Sequence, residues 1–253
     1  MTSLLHKTVL ITGASSGIGA ACAEQLAAQG ARLILLARRA ENLNAIANRI
    51  RTVYKVDVHP IAVDVTHHHA VQQLLLNLPQ EWQAIDILIN NAGLAAGIER
   101  FQHADIHDWE TMIDTNIKGL LYMTRYALPG MIARNQGHII NIGSVAGHQT
   151  YVGGSVYCAT KAAVNRINQG LRMDVNGYAI RVTSIDPGMV ESEFSLVRYK
   201  GDLNRAKQVY QGMTPLRPDD IADAILYCLT RPPHVNISEM ILYPTDQAAA
   251  TMV

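Results

Sequence analysis

Cysteine is scarce in this chain of 253 residues. There are three, Cys22, Cys158 and Cys228, far apart and with no CxxC pair. That argues against a disulfide framework or a cysteine-rich zinc module, and it fits a reducing compartment. Charge is thin as well. Asp, Glu, Lys and Arg make up 17% of the residues, and 21 basic side chains balance 21 acidic ones. A formal net charge of zero gives no electrostatic reason to expect nucleic acid or an anionic membrane as a partner. The charged share lies below the roughly 25% usual for soluble domains, which implies more buried surface than one monomer provides. Aromatics are few. Trp82, Trp109 and the tyrosines are too scattered for a base-stacking platform. No stretch approaches the roughly 20 apolar residues of a membrane span. The opening Met1–Lys7 does not read as a secretory signal, and Val9-Leu10-Ile11 is too short for its apolar region, so a cytoplasmic protein is expected. There is no Pro/Ser linker, repeat or low-complexity tract, and residues 1–253 read as one domain.

What the sequence does have is 49% hydrophobic residues in an alternating order of short and long segments. Apolar runs at Thr8–Ile11, Arg32–Leu36, His59–Val63, Ile85–Ile89, His138–Ile142, Ile180–Ile185 and Met240–Leu242 read as strands. Their lack of polar alternation marks them as buried on both faces. Amphipathic patterns between most of them, at Gly17–Gln29, Glu41–Arg51, His68–Asn77, Asp108–Arg134, Val156–Val175 and Pro218–Thr230, read as helices. Strand–helix–strand repetition predicts an α/β fold, a Rossmann-like doubly wound parallel sheet of about seven strands with helices on both faces. Residues 190–213 break the rhythm. They are polar and mixed, and a long irregular segment just after a strand end is expected to cover a site.

The first strand runs into Thr12-Gly13-Ala14-Ser15-Ser16-Gly17-Ile18-Gly19 and then a helix. Gly13, Gly17 and Gly19 let the backbone approach a pyrophosphate, Ser15, Ser16 and Ile18 fill the turn, and the helix N-terminus supplies N–H donors and positive dipole. The second strand leads to Ala37-Arg38-Arg39. A carboxylate at its end would favour NAD. Two guanidinium groups, with no acid expected to be present to repel it, suit the 2′-phosphate of NADP. The alternative is that Arg38 and Arg39 solvate a loop. Asp64-Val65, after the third strand, belongs beside the adenine, unless Asp64 merely caps the next helix. His67-His68-His69 does not read as a metal site, because three successive side chains on a helix start fan apart.

Further along come Asn91-Ala92-Gly93 after the fourth strand, Asn116 in a long helical pattern, and Ser144 after the fifth strand. Tyr157-Cys158-Ala159-Thr160-Lys161 follows at the head of a helix, and Asp186-Pro187-Gly188 at the end of the sixth strand. In this order they resemble the short-chain dehydrogenase/reductase family over essentially the whole chain. Tyr157 and Lys161, four apart, share a helix face. A phenol titrates near about 10 in isolation, and the lysine and nicotinamide charges are expected to favour its ionised form. Tyr157 would then exchange a proton with the substrate hydroxyl while Ser144 holds the reacting oxygen. By resemblance, Asn116 fixes a water that links Lys161 to solvent. Pro187, Gly188, Val190 and Ser192 would contact the nicotinamide end.

Several segments, among them Asn91–Ala95, Asp108–Asn116, Leu128–Met131, His138–Ser144 and Glu193–Asp202, are similar to the NADP-dependent 3-hydroxy acid dehydrogenases. The resemblance implies oxidation of serine, allo-threonine or a 3-hydroxybutyrate-like acid at C3. It also implies a homotetramer built on the long helices and the tail Ala248–Val253. A 3-hydroxy acid needs a cation for its carboxylate, and Arg198 is the candidate, with Lys200 second. Arg198 could equally be a surface or interface arginine. A general carbonyl reductase and a non-catalytic NADP-binding regulator are the competing readings; the intact Tyr157 and Lys161 weigh against the latter.

Overall fold

The computed structural model describes residues 2–251. Its strands are β1 (Thr8–Thr12), β2 (Arg32–Ala37), β3 (Val58–Ala62), β4 (Ile87–Asn90), β5 (Gly137–Ile142), β6 (Ile180–Pro187) and β7 (Glu239–Leu242). All pair in parallel, in the order β3-β2-β1-β4-β5-β6-β7. The helices are α1 (Gly17–Ala28), α2 (Ala40–Tyr54), α3 (His68–Leu76), α4 (Ile106–Ile113), α5 (Leu120–Arg134), α6 (Ser155–Asp174), α7 (Glu193–Arg198), α8 (Leu203–Gln208) and α9 (Pro218–Leu229).

The two-residue period of a strand divides the central sheet between two cores. Val9, Ile11, Leu33 and Leu35 face the α1, α2 and α9 side with Leu26, Leu43 and Ile225. Leu10, Ile34, Leu36 and Leu88 face the α3 and α5 side with Val71, Met123 and Ala127. Each fully buried Leu or Ile contributes about 1.5–3 kcal/mol relative to exposure. With both faces covered, these strands read as mostly apolar sequence, and the polar residues they do carry, such as Asn141 and Thr183, are buried and hydrogen-bonded. The order reverses on either side of β1, so the crevice beyond the carboxyl ends of β1 and β4 is the switch point where a ligand fits.

Two expectations change. The single helix expected over 108–134 is two helices, α4 and α5, joined by a wide π turn over Asp114–Gly119. Asn116 causes the break: its amide is drawn inward and hydrogen-bonded to other segments, and the helix accommodates it with an extra residue per turn. The irregular segment over 190–213 contains two short helices, α7 and α8. Ser192 caps α7 by accepting from the Phe194 N–H, and Asp202 caps α8 by accepting from those of Asn204 and Arg205. Among the described residues, no helix is long and apolar enough to cross a membrane.

Candidate active site

A cleft of about 420 Å³ opens at the switch point. Its floor is a stitched junction. The Thr12 hydroxyl accepts from the backbone N–H groups of Asn91 and Ala92, at 3.0 and 2.9 Å. The Asn91 amide donates back to the carbonyls of Thr12 and Gly13, at 2.9 and 3.2 Å. Gly13 has φ +65°, in the left-handed region. Gly19 lies one turn into α1 and does not line the cleft; a Cβ there would collide with the Gly13 carbonyl and the Asn91 amide. At the N-terminus of α1, Ser16 makes no side-chain cap and the first turn carries no acid. The helix end is therefore electropositive and suited to an anion.

Arg38 and Arg39 both line the cleft. The Arg38 guanidinium stands 3.9 Å from Asp64. Asp64 accepts from the backbone N–H and hydroxyl of Thr66, two residues on, so it caps the turn before α3 rather than the helix itself. Burial works to raise its pKa, but the Thr66 hydrogen bonds and the Arg38 charge hold it below the ordinary carboxylate value. Arg39 donates to the Ser16 hydroxyl and to the Glu193 carboxylate, both at 2.8 Å, and to the Ser15 hydroxyl at 3.3 Å. This corrects the expectation that no acid stands near these arginines. Asp64 stands by Arg38, and Glu193 of α7 pairs with Arg39, whose hydrogen bond holds the Glu193 pKa down.

Ser144, Tyr157 and Lys161 converge on the cleft wall and are nearly buried. Ser144 begins a 3₁₀ turn, accepting from the Ala146 N–H at 3.1 Å. Burial and the neighbouring Tyr151 push the Tyr157 pKa well above 10, while the Ser144 hydroxyl and the Arg198 charge pull it back. The Lys161 ammonium donates to the Ile142 carbonyl at 2.8 Å. The Ser144 hydroxyl and the Arg198 guanidinium thus join the groups that favour the ionised phenol, while the Lys161 ammonium is turned to the strand end. Burial pushes the Lys161 pKa down to about 8, and the Asp186 carboxylate opposes the fall.

Asn116 sits behind this trio and does not line the cleft. Its carbonyl accepts from the Leu94 N–H at 2.9 Å, and its amide donates to the Leu94 carbonyl and the Thr160 hydroxyl at 2.8 and 3.0 Å. It locks the segment after β4 to α6. A Cβ on Gly93 would lie 3.2 Å from its carbonyl oxygen and 3.5 Å from Lys161 Nζ, so the two groups are near neighbours.

Arg198, the last residue of α7, does not itself line the cleft; it lies behind Val197, beside the Tyr157 ring. Its guanidinium donates to the Tyr151 hydroxyl at 2.5 Å and stands 5.7 Å from the centre of the Tyr157 ring. Its Nε is buried and, among the described residues, without a hydrogen-bond partner. Lys200, the second candidate, is paired with Asp108 at 2.8 Å. Of the other expected residues, Ser15, Ser16, Gly17, Ile18, Val65, Ala92, Gly93, Pro187, Gly188, Val190 and Ser192 all line the cleft. Sequence reading missed Glu193, which pairs with Arg39, and Phe194, whose ring packs 5.7 Å from that of Tyr157. It also missed Tyr151. The only signal was their place in or beside segments that look irregular.

The short chain dehydrogenase family model matches residues 7–200. The chain is 46% identical over 243 residues, 96% of each protein, to an NADP-dependent 3-hydroxy acid dehydrogenase of Salmonella typhi. It is 44% identical over 254 residues to an NADP-dependent 3-hydroxy acid dehydrogenase of Schizosaccharomyces pombe, covering 100% of this chain and 98% of that one. Among solved structures it matches the closed form of serine dehydrogenase complexed with NADP+ with a TM-score of 0.92, at 46% identity over 97% of this chain and 98% of that one. With its parallel sheet, its glycine turn and its Ser–Tyr–Lys trio, this chain belongs to the short-chain dehydrogenase family.

Proposed function

We propose that the protein is an NADP-dependent oxidoreductase that transfers a hydride between NADP and the C3 hydroxyl or ketone of a small 3-hydroxy acid, such as serine, allo-threonine or a 3-hydroxybutyrate-like compound. The observation that carries the substrate class is Arg198: a guanidinium beside the Tyr157 ring, with a buried N–H lacking a partner. A buried unpaired donor costs about 1–3 kcal/mol, and a substrate carboxylate would relieve that cost. The names of the relatives agree with this reading.

The cleft fits NADP. The α1 N-terminus and the Gly13–Gly17 turn would hold the pyrophosphate, Arg38 and Arg39 the 2′-phosphate, Asp64 and Val65 the adenine side. Asn91, Ala92, Gly93, Pro187, Gly188, Val190 and Ser192 would line the nicotinamide end, with Lys161 on the adjoining ribose. When bound, NADP supplies the hydride acceptor, or NADPH the donor. The protein supplies the proton chemistry. Ser144 donates a hydrogen bond to the reacting oxygen and holds it against Tyr157. Tyr157 takes the hydroxyl proton in oxidation and returns it in reduction. The Lys161 charge stabilises the anionic form of that pair. Asn116 acts by fixing the strand end against α6 beside Lys161, the place from which a proton reaches solvent.

Kinetics with acids and their methyl esters test this. With NADP, serine or 3-hydroxybutyrate should be far better than its ester, and Arg198→Met should lower kcat/KM for acids by tenfold or more while sparing neutral alcohols. Acids no better than esters in the wild type would leave a general NADP-dependent carbonyl reductase.

The protein is further proposed to be a cytoplasmic homotetramer. The low charged fraction supports this, as do exposed Ile106 on α4, Leu121 on α5 and Met173 on α6. Of the tail expected to join an interface, Met252 and Val253 lie outside the described residues.

A further inference from the structure

Asp186 is fully buried behind the trio, at a position the reaction as described so far does not use. Its Oδ1 accepts from the Ser184 hydroxyl at 2.5 Å, and its Oδ2 lies 2.5 Å from His148 Nε2. His148 Nε2 is also 3.5 Å from the Glu239 carboxylate on β7 and 3.0 Å from the Asn165 amide on α6. A carboxylate so deep is costly unless something nearby needs it.

The strand register says what that is. Ile142 on β5 stands opposite Ile185 on β6, which sets Gly143 beside Asp186. A Cβ on Gly143 would collide with Asp186 Oδ1, so the absence of a side chain there is what makes room for the carboxylate behind the cleft wall. The Ile142 carbonyl, one residue before Gly143, is the group that holds the Lys161 ammonium. Asp186 therefore lies beside the residue that follows the carbonyl holding the catalytic lysine.

We propose that Asp186 is a positioning residue for the reaction: its buried carboxylate keeps Lys161 in the charged form, and Ser184 and His148 hold that carboxylate in place. Its charge opposes the desolvation of Lys161. Glu239 stands close by, its carboxylate within 4.8 Å of that of Asp186 and of the His148 ring nitrogen. Glu239 has its pKa raised by burial and by Asp186, and is relieved by His148 and Arg166. The proposal rests on the role given to Lys161 above, so its test reads the protonation of Lys161 separately from turnover.

In protein labelled with ¹³C at lysine Cε, the Lys161 resonance is assigned by its loss in Lys161→Met and titrated by NMR. Asn is close to isosteric and can still accept from Ser184. In Asp186→Asn the Lys161 midpoint should fall by about one pH unit or more, and the alkaline loss of kcat/KM should move down with it. Asp186→Ser makes the same measurement if the Asn amide does not fit against Gly143. His148→Gln keeps the carboxylate, and its Lys161 midpoint should not fall. An unchanged midpoint in the Asp186 variants overturns the proposal. So does an equal fall in His148→Gln, which marks a loosened pocket instead of a lost charge. A midpoint that falls without moving the kcat/KM profile also overturns it, and identifies the role of Lys161 as the faulty premise.

Discussion

Arg39 and Glu193 are 154 residues apart in sequence and 2.8 Å apart in space, and their ion pair joins the glycine turn's neighbour to the first residue of α7. The carboxylate occupies Arg39 where a 2′-phosphate would bind it. The two anions compete. Glu193→Gln should lower KM for NADP several-fold and leave KM for NAD nearly unchanged. Removing Arg38 and Arg39 together should raise KM for NADP tenfold or more, since each charge-assisted hydrogen bond contributes about 1.5–3 kcal/mol. Initial-rate kinetics with both cofactors check it, and a wild type indifferent to the 2′-phosphate would remove the NADP assignment of these arginines.

Tyr157→Phe removes one hydroxyl and keeps a ring that packs against Phe194. Turnover should fall by at least a thousandfold, while cofactor affinity, read by fluorescence titration, stays within a few-fold of wild type. Lys161→Ala should harm both. Near-normal kcat in Tyr157→Phe would assign the proton transfer to another group.

The depressed pKa of Lys161 has a stability consequence of definite sign. The folded protein holds this proton only up to about 8, the unfolded chain up to about 10.5. Between these values the unfolded state binds more protons, so stability rises with pH through that window. Below it the buried charge is a full cost, of the order of 1.4 kcal/mol per pKa unit. Lys161→Met should therefore be more stable than wild type near pH 7, by about 3 kcal/mol, and lose that advantage as pH passes from 8 to 10. Urea midpoints of the two proteins at both ends of the range measure it; an advantage that grows with pH contradicts the assignment.

Light scattering at micromolar concentration should give four times the 27.7 kDa chain mass. A stable monomer would mean that Ile106, Leu121 and Met173 are simply exposed.

The sheet was legible because its strands are covered on both faces, and β1 and β2 at its centre are therefore written almost wholly in apolar residues. The cleft was legible because the switch point requires glycines and an asparagine at strand ends. The π turn was not. A one-residue widening leaves hydrophobic periodicity almost intact, and only the partners of Asn116 reveal it. Glu193 was invisible for a different reason: no local pattern records a contact made across half the chain. Arg198 was put forward by the chemistry a carboxylate needs, while Tyr151, which holds its guanidinium, had no such demand to point to it.

The wide turn over Asp114–Gly119 also divides labour along one rod. Met112 on α4 packs with Leu94 and Tyr157 in the small cluster around the reacting groups, whereas Met123 and Ala127 on α5 pack on the sheet. An α-helix turns about 100° per residue. Deleting one residue from the turn would let α4 and α5 join as a regular helix, but it would swing their faces apart by about that angle, so that only one of the two could stay seated. The extra residue thus works as a phase shifter. It allows a single segment to brace both the scaffold and the chemistry, and it makes this turn a place where a deletion should be tolerated far less well than a substitution.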